Sequence, residues 1–474
     1  MRSSHVGAGR ASFTFTTSAR NNVLSSSFSH LLFEARLHLP STARLLVIIS
    51  AFIIGFAFTV IVKWEYIVWL VASTAGASPL LQSGQGSTFD YRGLRFGADK
   101  KFSITVFSDL HLGEPSWAGI GKGPEADLKT IGVITSVLNR EQSNMVVLNG
   151  DLISCEFVAP ENITALIDQL TAPLVDRNMP FAATFGNHDM SKTCSTRVMS
   201  EHMWENTKGK DGKKLSFTTS SVSGPYEKIG TSNFYIPIYS SSGGGNPHLS
   251  MMLWFFDSKG GRDVGKVDSN GKDVPVENWV DDKVTSWFTL TRDAINQQQG
   301  RVIPSLAFVH IPPHVTRAFQ DSKPDAATRP GLNEELIGHQ GDVCDSNNNC
   351  KYSGADTYFM KALIETKGLL GVFSGHDHGV DWCMKWSKDL PGNSPANGNG
   401  LKLCFNRHSG YGGYSDWVRG GRQIAIDETN LGGDNSVDTW IRLEDGSISG
   451  RVALNSTYGQ DHYPTVAAVN SAGL

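Results

Sequence analysis

Several features that mark common protein classes are absent from this 474-residue sequence. Acidic residues are nearly missing from residues 1–44, where five arginines stand against Glu34 alone and give a charge of +4. Because the whole chain carries −4, the rest carries −8, which argues against nucleic acid as a partner. Only one long apolar run is present and no internal repeat is visible, so a transporter or channel is excluded.

That single apolar run covers residues 45–62, eighteen residues without a charge. A helix of this length, at about 1.5 Å rise per residue, is just long enough to span a bilayer core. The arginines that precede it and their near absence directly after it favour an orientation with the N-terminus inside. We therefore predict a basic tail (1–44), a transmembrane signal anchor (45–71), a flexible stalk (72–88) and one folded domain (89–474).

Other interpretations of the N-terminal region stay open. The small residues Ala75, Gly76 and Ala77 have the form of a signal-peptidase site, which would make the protein secreted after cleavage. The Arg- and Ser-rich, acid-poor tail is also compatible with a mitochondrial presequence. A buried core helix would show a polar stripe that this run lacks. The anchor interpretation predicts a single-pass membrane protein of the secretory pathway, with its domain in the lumen or outside the cell.

Cysteine is absent before residue 155, and an even number of six follows the apolar run. This pattern is compatible with three disulfides in an oxidising compartment, although six free buried thiols are the alternative. Proximity along the chain favours the pairs Cys155–Cys194, Cys344–Cys350 and Cys383–Cys404. The sequons at Asn162 and Asn455 would accept glycans in the same compartment.

Short apolar strands alternate with amphipathic helices through the domain, which predicts an α/β fold. A helix is expected over residues 125–142 with the apolar residues Leu128, Ile131, Ile134 and Leu138 on one face. Residues 94–96 and 102–107 read as the two strands of a hairpin. Polar motifs follow the predicted strands, at the strand ends where ligand sites of α/β sheets gather.

Five such motifs occur in order: DLH at 109–111, GD at 150–151, GNHD at 186–189, a histidine at 310 and GHDH at 375–378. They supply carboxylate, carboxamide and imidazole groups of the kind that hold two metal ions side by side. The predicted ligands are Asp109, His111, Asp151, Asn187, His310, His376 and His378. Each motif alone is weak, but the ordered set predicts a dimetal centre with hydroxide on the metals as nucleophile.

His188 adjoins a predicted ligand and is expected at the rim of the site without being a ligand itself. We predict that it protonates the leaving alkoxide and contacts the phosphate, with Asp189 orienting its ring through a hydrogen bond. Residues 407–414 hold Arg407, His408, Tyr411 and Tyr414, which either contact the substrate or pack the loop.

The segments FSDLHLGE, LNGDLIS, TFGNHDM, FVHIPPH and FSGHDHG resemble the calcineurin-like metallophosphoesterase superfamily. The segments GHDHGVDWC and LCFNRHSGYGGYSDWVRGGR are similar to its purple-acid-phosphatase-like branch of fungi and plants. The resemblance covers roughly residues 92–445. It implies a four-layer α/β/β/α sandwich in which two mixed sheets pack face to face with helices outside.

The resemblance also implies a division of the ligands. One metal would be bound by Asp109, His111, Asp151 and His378, and the other by Asp151, Asn187, His310 and His376. Purple enzymes carry an iron-binding tyrosine three positions after the bridging aspartate, where this chain has Ser154, so the purple colour is not implied. Two divalent or mixed-valence ions (Mn, Fe or Zn) are expected.

The sequence thus predicts a phosphomonoesterase that acts on a phosphate-ester substrate and is attached to a membrane by its anchor. A phosphodiesterase that acts on a lipid or a nucleotide is the alternative, because the same centre serves both reactions. An inactive metal-binding scaffold is a third possibility, and it would be expected to lack ligands or the acid.

Overall fold

The computed structural model describes residues 94–117, 122–241, 247–344, 350–387 and 397–466. The predicted tail, anchor and stalk lie outside these residues, so the structure does not test them. Within the described ranges, no helix is both long enough and apolar enough to cross a membrane.

Sixteen strands and seven helices make up the described part of the chain. The strands are β1 (Lys101–Phe107), β2 (Met145–Asn149), β3 (Phe181–Thr184), β4 (Phe234–Tyr239), β5 (Leu249–Phe256), β6 (Arg262–Val267), β7 (Asp273–Pro275), β8 (Ser305–Val309), β9 (Asp342–Cys344), β10 (Cys350–Tyr352), β11 (Leu369–Ser374), β12 (Cys383–Trp386), β13 (Leu401–Phe405), β14 (Gly420–Asp427), β15 (Val437–Leu443) and β16 (Ile448–Leu454). The helices are α1 (Gly123–Leu138), α2 (Ile163–Asp176), α3 (Thr196–Asn206), α4 (Tyr226–Ile229), α5 (Asp282–Gln299), α6 (Val315–Asp321) and α7 (Thr357–Glu365).

Two six-stranded mixed sheets form the centre of the fold. The first sheet has the order β16-β15-β14-β1-β2-β3, and its strands β1, β2 and β3 run parallel. The second sheet has the order β12-β13-β11-β8-β5-β4, and β13, β11, β8 and β5 run parallel. Strands β2, β5 and β8 are buried along their whole length, as expected for parallel strands covered on both faces.

Three hydrophobic clusters show how the layers pack. One contains inward-facing residues of both sheets, among them Ile104, Ile424, Leu253 and Phe308, and it joins the sheets face to face. The second packs the first sheet against α1, α2 and α3, and the third packs the second sheet against α5, α6 and α7. The predicted pair of mixed sheets is therefore confirmed, with helices on both outer faces.

The predicted hairpin is wrong, and the apolar face of α1 is only partly buried. Leu128 is 68% exposed, because α1 turns a different stripe, including Val133 and Val137, toward the first sheet. Residues 94–96 do not pair with β1 as a hairpin. Their backbone instead bonds to Tyr239 at the end of β4, with Phe96 N–H donating to the Tyr239 carbonyl at 2.9 Å.

Two of the three predicted disulfides are present, Cys155–Cys194 and Cys383–Cys404. The second joins the neighbouring strands β12 and β13, where the two cysteines are register partners. Cys344 and Cys350 are register partners in the β9–β10 hairpin. The side chain of Cys344 is outside the described part of the structure, so the third pair stays a prediction.

Candidate metal centre

The polar motifs converge because they follow parallel strands that end at the same edge of the fold. Asp109 and Asp151 follow β1 and β2, which are neighbours in the first sheet. His310 and His376 follow β8 and β11, which are neighbours in the second sheet. Asn149 links the two sheets at this edge, because its side-chain amide donates to the carbonyl oxygens of Val309 and Phe373. The strand order thus brings distant segments of the chain to one site.

Four of the predicted ligands have left-handed backbone conformations. The φ angles are +56° at Asp109, +49° at His111, +51° at Asp151 and +81° at His376. Residues with a Cβ rarely adopt this region, and such strain persists only where the surrounding structure enforces it. The backbone is therefore held in unfavourable conformations at the residues that the motifs single out.

The side chains form two groups of ligand atoms. One group is Asp109, His111 and His378, and the other is Asp151, His310 and His376, with the atoms of each group within 4.8 Å of one another. Asp151 Oδ2 lies 3.0 Å from His310 Nε2 and 3.8 Å from His111 Nε2, so it lies between the groups. This is the position required of a bridging ligand.

Hydrogen bonds at Nδ1 hold two of the histidine rings with Nε2 toward the site. The Nδ1 atoms of His310 and His378 donate to the carbonyl oxygens of Asn149 and Tyr414, at 2.9 and 3.3 Å. When these rings are neutral, as a metal ligand must be, each Nε2 carries the lone pair. The Nε2 atoms of His111 and His378 lie only 3.1 Å apart. Two nitrogens at this distance need a proton or a cation between them, and a metal ion would satisfy both lone pairs.

Other buried atoms fit cations as well. Asn187 Oδ1 and His376 Nδ1 are buried and have no hydrogen-bond partner among the described residues. Leaving a buried polar atom unsatisfied costs about 1–3 kcal/mol, so such atoms call for a ligand. Imidazole nitrogen, carboxylate and carboxamide oxygen together suit Mn, Fe or Zn. The residues of this site therefore fit the two-ion centre that the motifs predict.

The family model for calcineurin-like phosphoesterases matches residues 102–380. The chain belongs to this family. It is 26% identical over 392 residues to "Probable inactive purple acid phosphatase 14" of Arabidopsis thaliana, covering 77% of this chain and 86% of that protein. It is also 26% identical to "Phosphatase DCR2" of Saccharomyces cerevisiae, covering 72% and 54%. The crystal structure of a dimetal phosphatase from Danio rerio matches 75% of this chain and 99% of that one, with 13% identity and a TM-score of 0.42.

The charges in this phosphoesterase suit a cation pair. Burial raises the pKa of the Asp151 carboxyl, but the imidazoles of His310 and His188 outweigh it and lower the pKa well below its usual range. Burial lowers the pKa of His376 to about 3, so its ring is neutral. Burial raises the pKa of Asp109. The imidazole of His310 lowers this pKa in part, whereas the Asp151 carboxylate raises it further. A cation between the two carboxylates would offset their repulsion.

His188 stands at the rim of the phosphoesterase site, where its side chain is 37% exposed. Its backbone N–H donates to Asp151 Oδ1 at 2.8 Å, and its Nδ1 contacts the carboxylate of Glu156. Burial lowers the pKa of His188, but the Asp151 and Glu156 carboxylates outweigh this and raise the pKa to about 9. These two carboxylates therefore favour the protonated form of the imidazole.

The predicted role of Asp189 is wrong. Its carboxylate is fully buried and accepts backbone N–H groups of Leu152, Ile153 and Gly186, at 2.7 to 2.9 Å. Asp189 therefore holds the loop after β2 against the loop after β3, and Glu156 holds the ring of His188 instead. No sequence signal marked Glu156, because only the fold brings its short 3₁₀ helix beside the GNHD loop.

The loop at 407–414 is mostly structural. Arg407 forms a buried ion pair with Asp381 at 2.8 Å, and the Tyr411 hydroxyl donates to Glu444. Tyr414 is different, because its ring stacks on His378 with centroids 4.0 Å apart. It supports a predicted ligand from the outer side.

Replacing Gly150 by Ala is expected to disrupt the centre. Gly150 has φ +87°, and a Cβ there would lie 2.3 Å from His310 Nδ1. The ring of His310 would have to leave its bond to the Asn149 carbonyl, so the bound metal should fall below the two ions of the wild type. Metal analysis of the purified variants checks this. Gly132→Ala is the control, because a Cβ there meets nothing within 4 Å. Two ions retained in Gly150→Ala would contradict the prediction.

Proposed function

We propose that this phosphoesterase is a dimetal phosphomonoesterase. The observation that carries the proposal is Asp151, whose carboxylate lies between two groups of buried ligand atoms, while its other oxygen accepts the backbone N–H of His188. The first cation would be bound by Asp109, His111 and His378, the second by Asn187, His310 and His376, and Asp151 would contact both. Two bound cations supply charge that stabilises the attacking and the leaving oxygen of a phosphate ester.

The chain's own residues carry the proton transfer. The contact of His188 with Glu156 is made through Nδ1, so the Nε2–H is left to donate elsewhere. This proton is available to the leaving alkoxide, and the resulting neutral ring is reprotonated from solvent because the side chain is partly exposed. Glu156 stabilises the charged imidazole and fixes the direction of Nε2.

An inactive scaffold is disfavoured by the residues present. Relatives of this chain bear the name "probable inactive", which is a statement about those proteins. Here all seven predicted ligands and His188 are present, and the structure brings six of the ligands into the two groups, with Asn187 Oδ1 buried and unsatisfied. The residues that an inactive scaffold would be expected to lack are therefore present in this chain.

The proposal includes a location. The anchor at 45–71 would place the catalytic domain in the lumen of the secretory pathway or outside the cell. The disulfides Cys155–Cys194 and Cys383–Cys404 support this, because disulfides persist in oxidising compartments. Cleavage after Ala77 would release the same domain in soluble form.

The test is hydrolysis of an aryl phosphomonoester beside the matching diester by the full chain, produced through a secretory route. We expect monoester hydrolysis that is lost after chelation and restored by Mn²⁺, Zn²⁺ or Fe²⁺. Faster hydrolysis of the diester would replace the proposal by a phosphodiesterase. No hydrolysis of either ester by protein that carries two ions would overturn it.

A further inference from the structure

His111 is supported by side chains that no motif identified. Its Nδ1 lies 2.7 Å from Ser154 Oγ, and the Ser154 hydroxyl donates to Glu114 Oε2 at 2.5 Å. Because the hydroxyl proton is directed at the carboxylate, Ser154 Oγ accepts the Nδ1–H of His111. The Glu114 carboxylate also lies 3.3 Å from Nδ1 directly. All three residues are buried, with exposed fractions of 3%, 0% and 2%.

This arrangement differs from that of the other supported ligands. His310 and His378 donate Nδ1–H to backbone carbonyl oxygens, which carry no net charge. His111 alone among these three histidines is linked through a hydroxyl to a carboxylate. A carboxylate behind a ligating imidazole fixes its tautomer and increases the basicity of the ligating nitrogen. The effect is larger in a buried site, where charges are weakly screened.

We propose that Glu114 and Ser154 are positioning residues that strengthen cation binding by the group of Asp109, His111 and His378. This inference rests on the proposed two-ion centre. The pair holds His111 with its proton on Nδ1 and its Nε2 lone pair toward the site, and the Glu114 carboxylate adds negative charge behind the ring. The two cation positions are therefore unequal, and the one that contacts His111 depends on Glu114.

The position of Ser154 supports this role. It is three residues after Asp151, where the purple enzymes that the sequence resembles carry a metal-binding tyrosine. Here both hydrogen-bonding directions of the hydroxyl are used, one for His111 and one for Glu114. Ser154 therefore supports a ligand from behind and is not itself turned toward the site.

The test is competition for Zn²⁺ between the full chain and a chromophoric chelator, which yields the two stepwise dissociation constants. Glu114→Gln keeps the shape of the side chain but removes its negative charge. Ser154→Ala removes the hydroxyl that connects His111 to Glu114. Each is expected to raise one of the two constants about 10–100-fold and to leave the other unchanged. Because the two residues act through one ring, the double variant should bind Zn²⁺ no more weakly than the single variant with the larger dissociation constant.

Asp356→Asn is the matched control. Asp356 is a buried carboxylate that accepts Tyr352 O–H and His314 N–H, and it belongs to neither group of ligand atoms. Unchanged constants in Glu114→Gln and Ser154→Ala, additive effects in the double variant, or the same shift in Asp356→Asn would overturn the inference. If the wild-type protein binds two ions but hydrolyses no ester, the proposed function is wrong and the inference about Glu114 and Ser154 stands. If the wild-type protein binds no ion, the proposed function and the inference are both wrong.

Discussion

Asp151→Asn is expected to reduce kcat/KM for an aryl phosphomonoester by roughly 10³-fold or more. The reason is that the two proposed metal ions supply several kcal/mol of charge stabilisation in the transition state. Asp151 Oδ2 lies between the ligand groups, 3.0 Å from His310 Nε2 and 3.8 Å from His111 Nε2. An amide offers one neutral oxygen in place of a carboxylate, so it cannot bridge two cations as strongly. Steady-state kinetics and metal analysis on the same preparation measure both effects.

Asp257→Asn is the control for this result. Asp257 is also a buried aspartate, and its carboxylate accepts the backbone N–H groups of Thr231 and Lys259. It belongs to neither ligand group, so its replacement should leave the metal content at two ions. Asp151→Asn with unchanged kcat/KM would show that the carboxylate does not bridge the ions.

His188→Ala is expected to lower kcat for phenyl phosphate by about 10²–10⁴-fold, the usual contribution of a general acid. Both ions should be retained, because His188 is outside the ligand groups and its side chain faces Glu156. The loss should be much smaller for a dinitrophenyl phosphate, whose leaving group departs without protonation. Comparing the two esters therefore separates proton donation from a general effect on the site.

His202→Ala is a matched control, because His202 also pairs with a carboxylate, Asp168 Oδ1 at 2.7 Å, outside the ligand groups. Its kcat should equal that of the wild type with both esters. An equal loss for both esters in His188→Ala would assign His188 to phosphate binding, and loss of an ion would assign it to the metal centre.

The candidate ligands could be proposed from sequence because their pattern is local. A short apolar strand followed by Gly-Asp or by Asp-x-His can be read within ten residues of chain, and each such strand is present. The buried face of α1, in contrast, could not be predicted from the sequence. Its sequence offers two overlapping apolar stripes, and only packing against the first sheet leaves Leu128 exposed and Val133 buried.

The partners of the functional residues were beyond the sequence for the same reason. Asp189 is adjacent to His188 in the chain, but consecutive side chains diverge, and Asp189 turns inward to three backbone N–H groups. Glu156, which lies 32 positions away, contacts the ring. Glu114 and Ser154 meet at His111 from segments 40 positions apart.

The sequence by itself determined the types and order of the candidate ligands, the strands that carry them and two of the disulfide pairs, because these follow from residue chemistry and proximity along the chain. Tertiary structure decided which carboxylate lies between the two groups of candidate ligands and which residue contacts the ring of His188. Those properties depend on distances between segments that are remote in the chain, and only the packing of two sheets sets such distances.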